Sequence, residues 1–359
     1  MRHSEEYRDP DMAKRISQRI REISRRKTRI MEVCGTHTMS IFRFGIRSLL
    51  PETISLISGP GCPVCVTAQR EIDACIEISR MENVTVATFG DLMRVPGTDS
   101  SLQKERANGR DVQVVYSTFD AMGLARKNPE RRVVFLGVGF ETTAPTIAAS
   151  ILSAREQGLE NYCVFSAHKL VPPALEALSA AERVAIDGLM LPGHVSVIIG
   201  EKAYRPVVEK YRIPCAIAGF EPVDILHAIH SLCSRIEQGV AGLENCYPRA
   251  VSSEGNRKAR ETMDTVFEKR DAQWRGLGVI PQSGLSIREE FSSFDAERLF
   301  DLAIPFSREP AGCSCGQVLT GRKIPPECPL YAKVCTPTSP VGPCMVSSEG
   351  TCAAYFRYS

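Results

Sequence analysis

Short apolar segments alternate with helix-like segments over most of the chain. Between residue 28 and about 245, runs rich in Val, Ile and Thr are separated by stretches with apolar residues at helical spacing. The predicted strands are Arg29–Val33, Thr53–Ile57, Val84–Thr88, Val112–Tyr116, Val133–Gly137, Cys163–Ala167, Gly188–Leu191 and Cys215–Ala218. The predicted helices are Thr67–Met81, Thr143–Gln157, Pro173–Ala181 and Val223–Gln238. Apolar strands in alternation with helices predict parallel sheets covered by helices, an α/β fold.

The two ends of the chain have other patterns. In Lys14–Arg29, three isoleucines at helical spacing predict an amphipathic helix with a solvated basic face. Asn245–Phe306 is predicted to be a connector of helices and loops. Pro305–Pro343 contains eight prolines, which exclude a long helix or a regular sheet.

These patterns divide the chain into four parts. A weak echo supports two similar α/β units: Gly139-Phe140-Glu141 follows one predicted strand, and Gly219-Phe220-Glu221 follows another. The predicted parts are an N-terminal helix (1–27), a first α/β domain with reactive cysteines (28–120), a second α/β domain (121–245), and connector helices with a small loop-rich domain (246–359).

Composition and charge narrow the class of protein. The chain has 359 residues, of which 43% are hydrophobic and 24% charged, and its net charge is +2. The small charge argues against a nucleic-acid surface. Met1–Pro10 has no apolar core, and no run approaches the roughly 20 apolar residues of a membrane span. We expect a cytoplasmic protein that binds neither nucleic acid nor membrane.

Six of the 14 cysteines lie in the proline-rich tail. They are Cys313, Cys315, Cys328, Cys335, Cys344 and Cys352. Clustered cysteines in a reducing compartment are typically metal ligands or redox-active thiols. This segment has little apolar material of its own, so it needs a cross-link to fold. An iron–sulfur cluster is favoured, while all-cysteine zinc, disulfides or free thiols remain alternatives. A cubane cluster needs four ligands, so two thiols are left that can form a dithiol pair.

Three further cysteines follow two predicted neighbouring strands. Cys34 ends the first strand, and Cys62-Pro63-Val64-Cys65 comes between the second strand and a helix. The carboxyl ends of parallel strands share one edge, so we expect these loops to lie together. A thiolate at a helix start is stabilised, as in thioredoxin-type dithiols. A structural zinc half-site and simple packing are the alternatives. His37, three residues after Cys34, is a further candidate at this site.

Other residues at predicted strand ends are weaker candidates. The loop Gly137–Pro145 lacks the third glycine of a dinucleotide fingerprint, but it can present the Glu141 carboxylate on the functional edge. His168 and His194 also follow strands, where a hydrogen-bonded loop histidine is the more common role.

Several of these blocks together resemble one known family. Met31–Thr38 (MEVCGTHT), Gly59–Cys65 (GPGCPVC), Gly139–Pro145 (GFETTAP) and Pro340–Gly350 (PVGPCMVSSEG) look like the hydrogenase maturation protein family HypD. The resemblance runs from about residue 28 to the C-terminus. It implies two similar α/β domains, a third domain that holds a 4Fe–4S cluster, and a role in assembling the Fe(CN)2CO unit of nickel–iron hydrogenases.

The family resemblance also implies roles for individual residues. Its cluster pattern, Cys-x14-Cys-x6-Cys-x16-Cys, fits Cys313, Cys328, Cys335 and Cys352. Cys315 and Cys344 then form the second dithiol, although the sequence also permits Cys315 as a ligand in place of Cys313. The implied partners are the small chaperone HypC and the cyanide-donating protein HypE.

The resulting hypothesis is an assembly scaffold with redox activity rather than a conventional turnover enzyme. Iron of the Fe(CN)2CO unit is expected on Cys34, electrons are expected to pass through Cys62 and Cys65, and His37 and Glu141 are expected to orient the iron unit. The main alternative is an iron–sulfur dithiol oxidoreductase that acts on a protein disulfide. A zinc-stapled interaction protein without redox activity is a third possibility.

Overall fold

Two parallel β-sheets and one antiparallel hairpin form the framework of the protein. The structure is a computed structural model that describes residues 5–181, 185–300, 302 and 307–358. The strands are β1 Thr28–Glu32, β2 Ile54–Ser58, β3 Val84–Thr88, β4 Val112–Val114, β5 Arg132–Gly137, β6 Tyr162–Ser166, β7 Gly188–Pro192, β8 Cys215–Ala218, β9 Leu243–Asn245, β10 Phe267–Trp274 and β11 Gly278–Ile287.

Helices cover the sheets and form the C-terminal segment. They are α1 Pro10–Ile23, α2 Gly35–Arg43, α3 Ile46–Leu49, α4 Pro63–Val66, α5 Gln69–Arg80, α6 Leu102–Ala107, α7 Thr118–Lys127, α8 Ala144–Glu156, α9 Val171–Ala180, α10 Gly193–Ile199, α11 Arg205–Tyr211, α12 Pro222–Gln238, α13 Arg257–Val266, α14 Ala296–Leu299, α15 Cys315–Leu319, α16 Pro343–Val346 and α17 Thr351–Tyr358. None of the helices in these described ranges has the length and apolar character to cross a bilayer.

The chain passes from one parallel sheet to the other and back. The first sheet has the order β2-β1-β7-β8-β9, and the second has the order β4-β3-β5-β6. The predicted α/β class with parallel sheets and a loop-rich cysteine tail is confirmed. Strand pairing, however, does not follow the division at residues 120 and 121, because β3 and β4 pair within the second sheet and β7 to β9 return to the first. Sheet membership depends on which strand a crossover reaches, which sequence order does not specify.

The predicted connector Asn245–Phe306 contains the long hairpin β10–β11, so its description as helices and loops is wrong in part. The hairpin was missed because β10 carries charged side chains such as Lys269 and Arg270 and buries little more than Phe267, Ala272 and Trp274. Residues 301 and 303–306 of the connector lie outside the described residues, as do 1–4 of the N-terminal segment and 359 of the tail.

The N-terminal helix forms but ends earlier than predicted. Asp9 caps α1 by accepting hydrogen bonds from the backbone N–H groups of Asp11 and Met12 at 2.8 and 3.0 Å. Ile16 and Ile20 are buried in an apolar cluster shared with residues of α12. The helix ends at Ile23 because the chain must extend to enter β1.

One apolar core joins the sheets to the tail. It contains β5 and β7 residues from the two parallel sheets together with Cys62, Cys65, Cys315, Cys344 and Cys352. Of the five cysteines outside the tail and the two N-terminal loops, four are buried and Cys246 is half-buried; the buried four are Cys75, Cys163, Cys215 and Cys233. The tail therefore folds as part of the main core rather than as a separate body.

Candidate functional site

The loops that carry Cys34 and Cys62 lie side by side at the carboxyl edge of the first sheet. β1 and β2 pair in parallel, with Glu32 opposite Ser58. The ladder continues beyond the strands, because the Gly35 N–H donates to the Gly61 carbonyl at 3.0 Å. A Cβ at Gly61 would collide with the Cys34 backbone, so glycine is required for this close approach.

Cys34 is the residue before the first turn of α2. Burial raises the pKa of its thiol to about 12, and the Glu349 carboxylate contributes to the same increase. The backbone N–H groups of Thr36 and His37 act in the opposite direction, as expected at a helix N-terminus. Burial outweighs the helix, so the thiol is protonated at neutral pH in the chain alone.

Cys62 and Cys65 form a disulfide at the start of α4, with their Cα atoms 5.2 Å apart. Pro63 occupies the first helical position, and the Cys65 N–H points at the Cys62 sulfur at 3.2 Å. Cys62 is 3% exposed and Cys65 is fully buried. Because both sulfurs are buried, the pair is closed to a large disulfide substrate in this conformation.

His37 belongs to an aromatic stack on the same edge. Its Nε2 donates to the Gly219 carbonyl at 2.9 Å, and its ring lies 4.7 Å from the ring of Phe220. The exposed His194 also stacks on Phe220, with the two ring centroids 3.9 Å apart. Burial lowers the pKa of His37 to about 4, so the ring is neutral. Its Nδ1 has no hydrogen-bond partner among the described residues and is left as an acceptor.

Glu141 follows β5 in the second sheet rather than sharing the edge that carries Cys34. Its Oε1 accepts the Val171 N–H at 2.9 Å, while Oε2 is buried without a partner in the described part of the chain. Burial raises the pKa of Glu141 to about 7. The charges of Glu141 and Cys34 nevertheless both act on the buried Tyr204 hydroxyl. Burial is the main cause of the raised pKa of Tyr204, and these two charges raise it further.

Most of the tail cysteines converge. The Cys315 thiol lies close to those of Cys313, Cys344 and Cys352, and its interaction with them raises the pKa of Cys313 and Cys344 and lowers that of Cys352. Cys335 lies within electrostatic reach of Cys313 and Cys315, and its sulfur accepts the backbone N–H of residue 341 at 3.3 Å.

Cys328 is buried in the turn before Cys335. Within the described tail, it is the proposed ligand that does not join this group of thiols. At Gly342, an added Cβ would be 2.7 Å from the sulfurs of both Cys313 and Cys315. The bare backbone of Gly342 therefore forms one wall of the thiol cluster.

The tail packs directly on the N-terminal cysteine loops. Thr36 Oγ1 donates to Glu349 Oε1 at 2.5 Å, and a Cβ at Gly35 would be 2.5 Å from the Glu349 Cβ. The helices α15 and α16, which begin at or next to Cys315 and Cys344, both contact α4, the helix of the Cys62–Cys65 disulfide. Thiols from both ends of the chain are thus brought to one region.

The donor set suits sulfur-bridged iron better than a single ion. Across the described ranges, no three His, Cys, Asp or Glu side chains are arranged as ligands of one metal ion. A cubane cluster differs because each of its irons takes its own thiolate. The tail offers buried thiols and a glycine wall, and the hairpin turn packed against it offers a buried cation, Arg275, whose charge acts on the Cys313 sulfur. These residues fit an iron–sulfur cluster.

Three contributors were not among the predicted site residues. Glu349 was visible in the sequence only as part of a short motif before the last cysteine. Arg275 lies in the hairpin turn that the sequence did not predict, although the glycines at 276 and 278 are a turn signal. Phe220 becomes significant only because it stacks on His194, a weaker sequence candidate, through a contact between separate strand ends.

The fold and site define a class: a two-sheet α/β protein with cysteines at one sheet edge and a cysteine-rich tail packed against them. A family model described as "HypD: Hydrogenase formation hypA family" matches residues 11–359. A hydrogenase maturation factor HypD of Rhodobacter capsulatus is 45% identical over 370 residues, covering 100% of this chain and 98% of that protein. The HypD of Azotobacter vinelandii is 44% identical, covering 100% of this chain and 97% of that protein.

An archaeal protein is similarly close. A putative hydrogenase expression/formation protein of Methanocaldococcus jannaschii is 42% identical over 352 residues, covering 98% of each chain. The chain therefore belongs to the HypD family of hydrogenase maturation factors. The resemblance stated from the sequence motifs is confirmed.

Proposed function

We propose that this protein is the scaffold on which the Fe(CN)2CO unit of nickel–iron hydrogenase is assembled. The observation that carries the proposal is the packing of the tail, through Glu349, against the loop of Cys34. This contact joins a single buried thiol to a second group of thiols suited to a redox centre. HypC and HypE are the proposed partners, the first as a chaperone and the second as the cyanide donor.

Cys34 is the proposed ligand of the iron being assembled. Low-spin iron(II) with cyanide and carbonyl ligands is a soft centre, and thiolate is a suitable ligand for it. Because burial keeps the Cys34 thiol protonated, binding of iron requires loss of that proton. The N–H groups of Thr36 and His37 at the start of α2 then stabilise the thiolate. A cysteine of HypC is proposed as a second ligand.

The proposed resident cofactor is a 4Fe–4S cluster on Cys313, Cys328, Cys335 and Cys352. When bound, such a cluster supplies single electrons at a potential set by its surroundings. Cys315 and Cys344 are the proposed second dithiol, and the interaction between their thiols supports this pairing.

The Cys62–Cys65 pair is the proposed electron store beside the iron site. Reduction of its disulfide to two thiols takes two electrons and two protons. The contacts of α15 and α16 with α4 support a route from the tail thiols to this pair.

His37 and Glu141 are proposed to position the iron unit rather than to bind iron. The neutral His37 ring accepts at Nδ1, and Glu141 has an unpartnered Oε2 in the described structure. Because the pKa of Glu141 is raised to about 7, its carboxyl can donate or accept a proton near neutral pH.

Mössbauer spectroscopy of iron-57-labelled protein, co-purified anaerobically with HypC and HypE, tests this proposal. It separates low-spin iron(II) with strong-field ligands from the irons of a cubane cluster. We expect Cys34→Ala to remove the low-spin component and to retain the cluster component. Cys246→Ala, which removes a half-buried thiol elsewhere, is the matched control and retains both. A full low-spin component in Cys34→Ala would refute the role of Cys34.

The alternative of a dithiol oxidoreductase makes a different prediction. It requires turnover of a generic protein disulfide through Cys62 and Cys65, without need of Cys34. Burial of the Cys62–Cys65 disulfide disfavours direct attack on a large substrate. Zinc in the anaerobically purified protein, without iron and sulfide, would instead support a zinc-stapled interaction protein.

A further inference from the structure

Arg275 is a cation buried between the two groups of cysteines. Its side chain is 1% exposed. Its backbone N–H donates at 2.8 Å to the carbonyl of Val66, the last residue of the helix that carries the Cys62–Cys65 disulfide. The hairpin turn is thereby fixed to that helix.

The next residue fixes the same turn to the tail. Gly276 has φ +81°, and a Cβ placed on it would be 2.5 Å from the Cα of Gly316. Gly316 is the second residue of α15, the helix that begins at Cys315. The positive φ and the backbone contact both require glycine at 276. Arg275 is therefore held between α4 and the cysteine-bearing start of α15.

The charge of Arg275 is only partly compensated by protein groups. One guanidinium nitrogen, Nη2, donates to the Gln69 Oε1 at 3.2 Å. Nη1 lies 3.5 Å from Oε1 of Glu309, whose side chain is 56% exposed and screened by water. Nε has no partner among the described residues. A guanidinium offers five donors, and a buried cation without a full set of partners is costly.

A thiolate-bound iron–sulfur cluster would supply the missing negative charge. A cubane with four thiolates carries net negative charge, and that charge grows by one when the cluster is reduced. The Cys313 sulfur lies within electrostatic reach of Arg275. A fixed positive charge beside a cluster favours its reduced form and raises its reduction potential.

We propose that Arg275 is an electrostatic positioning residue that raises the reduction potential of the tail cluster, and that Glu309 opposes it. The proposal rests on the cluster assignment made under the proposed function. It assigns a role to a residue that binds neither iron nor sulfide and that lies in the hairpin, outside the cysteine motifs.

Redox titration of the full-length protein, purified anaerobically and reconstituted with iron and sulfide, tests the proposal. The readout is the visible absorbance of the cluster against potential, with iron and sulfide content measured in parallel. We expect Arg275→Gln to lower the potential by about 59 mV, which is a tenfold change in a one-electron equilibrium. Arg275→Lys, which keeps the charge, should recover part of this shift.

Two further variants make the test specific for charge. Glu309→Gln removes the opposing carboxylate and should shift the potential upward, by less than Arg275→Gln because Glu309 is exposed. Arg288→Gln removes a cation at the far end of the hairpin, with a side chain that is 42% exposed, and should leave the potential unchanged.

A lower reduction potential in Arg275→Gln together with a higher one in Glu309→Gln supports the proposal. An unchanged potential in Arg275→Gln, or shifts of the same sign in both variants, would overturn it. If Arg275→Gln does not retain a cluster, the absence of an upward shift in Glu309→Gln overturns the proposal by itself. A wild-type protein that takes up no cluster would instead refute the cofactor part of the proposed function.

Discussion

Replacing Gly35 with Ala tests whether the tail is seated on the loop of Cys34. The added Cβ would be 2.5 Å from both the Cβ and the carbonyl oxygen of Glu349. Unstrained carbon contacts are about 3.5–4.0 Å, so the tail would have to move by about 1 Å. Such overpacking costs about 1–3 kcal/mol. Alanine is otherwise more stable than glycine in the first turn of a helix, so a loss of stability in Gly35→Ala is caused by this clash.

Native-state hydrogen exchange is the appropriate assay, since the expected change is local opening of the tail. A cost of about 1–3 kcal/mol should speed exchange by about 5- to 150-fold if the tail opens as a unit. The amides to follow are Gly350, bonded to Ser347, and Ala354, bonded to Gly350.

Gly123→Ala is the matched control, because an added Cβ there meets nothing within 4 Å. It lies in the middle of α7 and should be neutral or slightly stabilising. Unchanged tail exchange in a folded Gly35→Ala protein would refute the docking of the tail on this loop.

Two further predictions concern charges buried near the site. The pKa of Glu141 is raised from its ordinary 4.5 to about 7, so this carboxyl binds its proton more tightly in the folded state. The wild-type protein should therefore lose stability as the pH rises from 4.5 to about 7. Glu141→Gln should remove that loss. Denaturation at each pH should show a difference of about 3 kcal/mol at most. Arg249→Met leaves the buried Asp224 carboxylate without its cation and should cost about 3–5 kcal/mol. Arg8→Met breaks a pair with Glu221 that water screens, and it should cost clearly less. Equal losses in the two arginine variants would contradict this reasoning.

The strands could be predicted well from the sequence because parallel strands are continuous apolar runs. Val84–Thr88 and Cys215–Ala218 have the predicted bounds, and Thr28–Glu32 differs by one residue at each end. The hairpin β10–β11 could not be predicted from its polar composition. The sequence also does not specify which strands share a sheet, since that depends on long-range pairing.

The part of the site at the carboxyl edge of the first sheet could be predicted from the rule that parallel strands end at a common edge. That rule brings the loops of Cys34 and Cys62 together, as the Gly35–Gly61 hydrogen bond confirms. The contact of Thr36 with Glu349 joins residues 313 positions apart and has no local signal. The protonated state of Cys34 could not be predicted either, because burial decides it and the degree of burial is a property of the folded chain.

Infrared spectroscopy of the protein co-purified anaerobically with HypC and HypE tests the central proposal most directly. Cyanide and carbon monoxide on iron absorb in a region free of protein bands. The proposal predicts both sets of bands in the wild-type complex and their loss in Cys34→Ala, with normal bands in the Cys246→Ala control. Bands of wild-type intensity in Cys34→Ala would contradict assembly of the iron unit on Cys34.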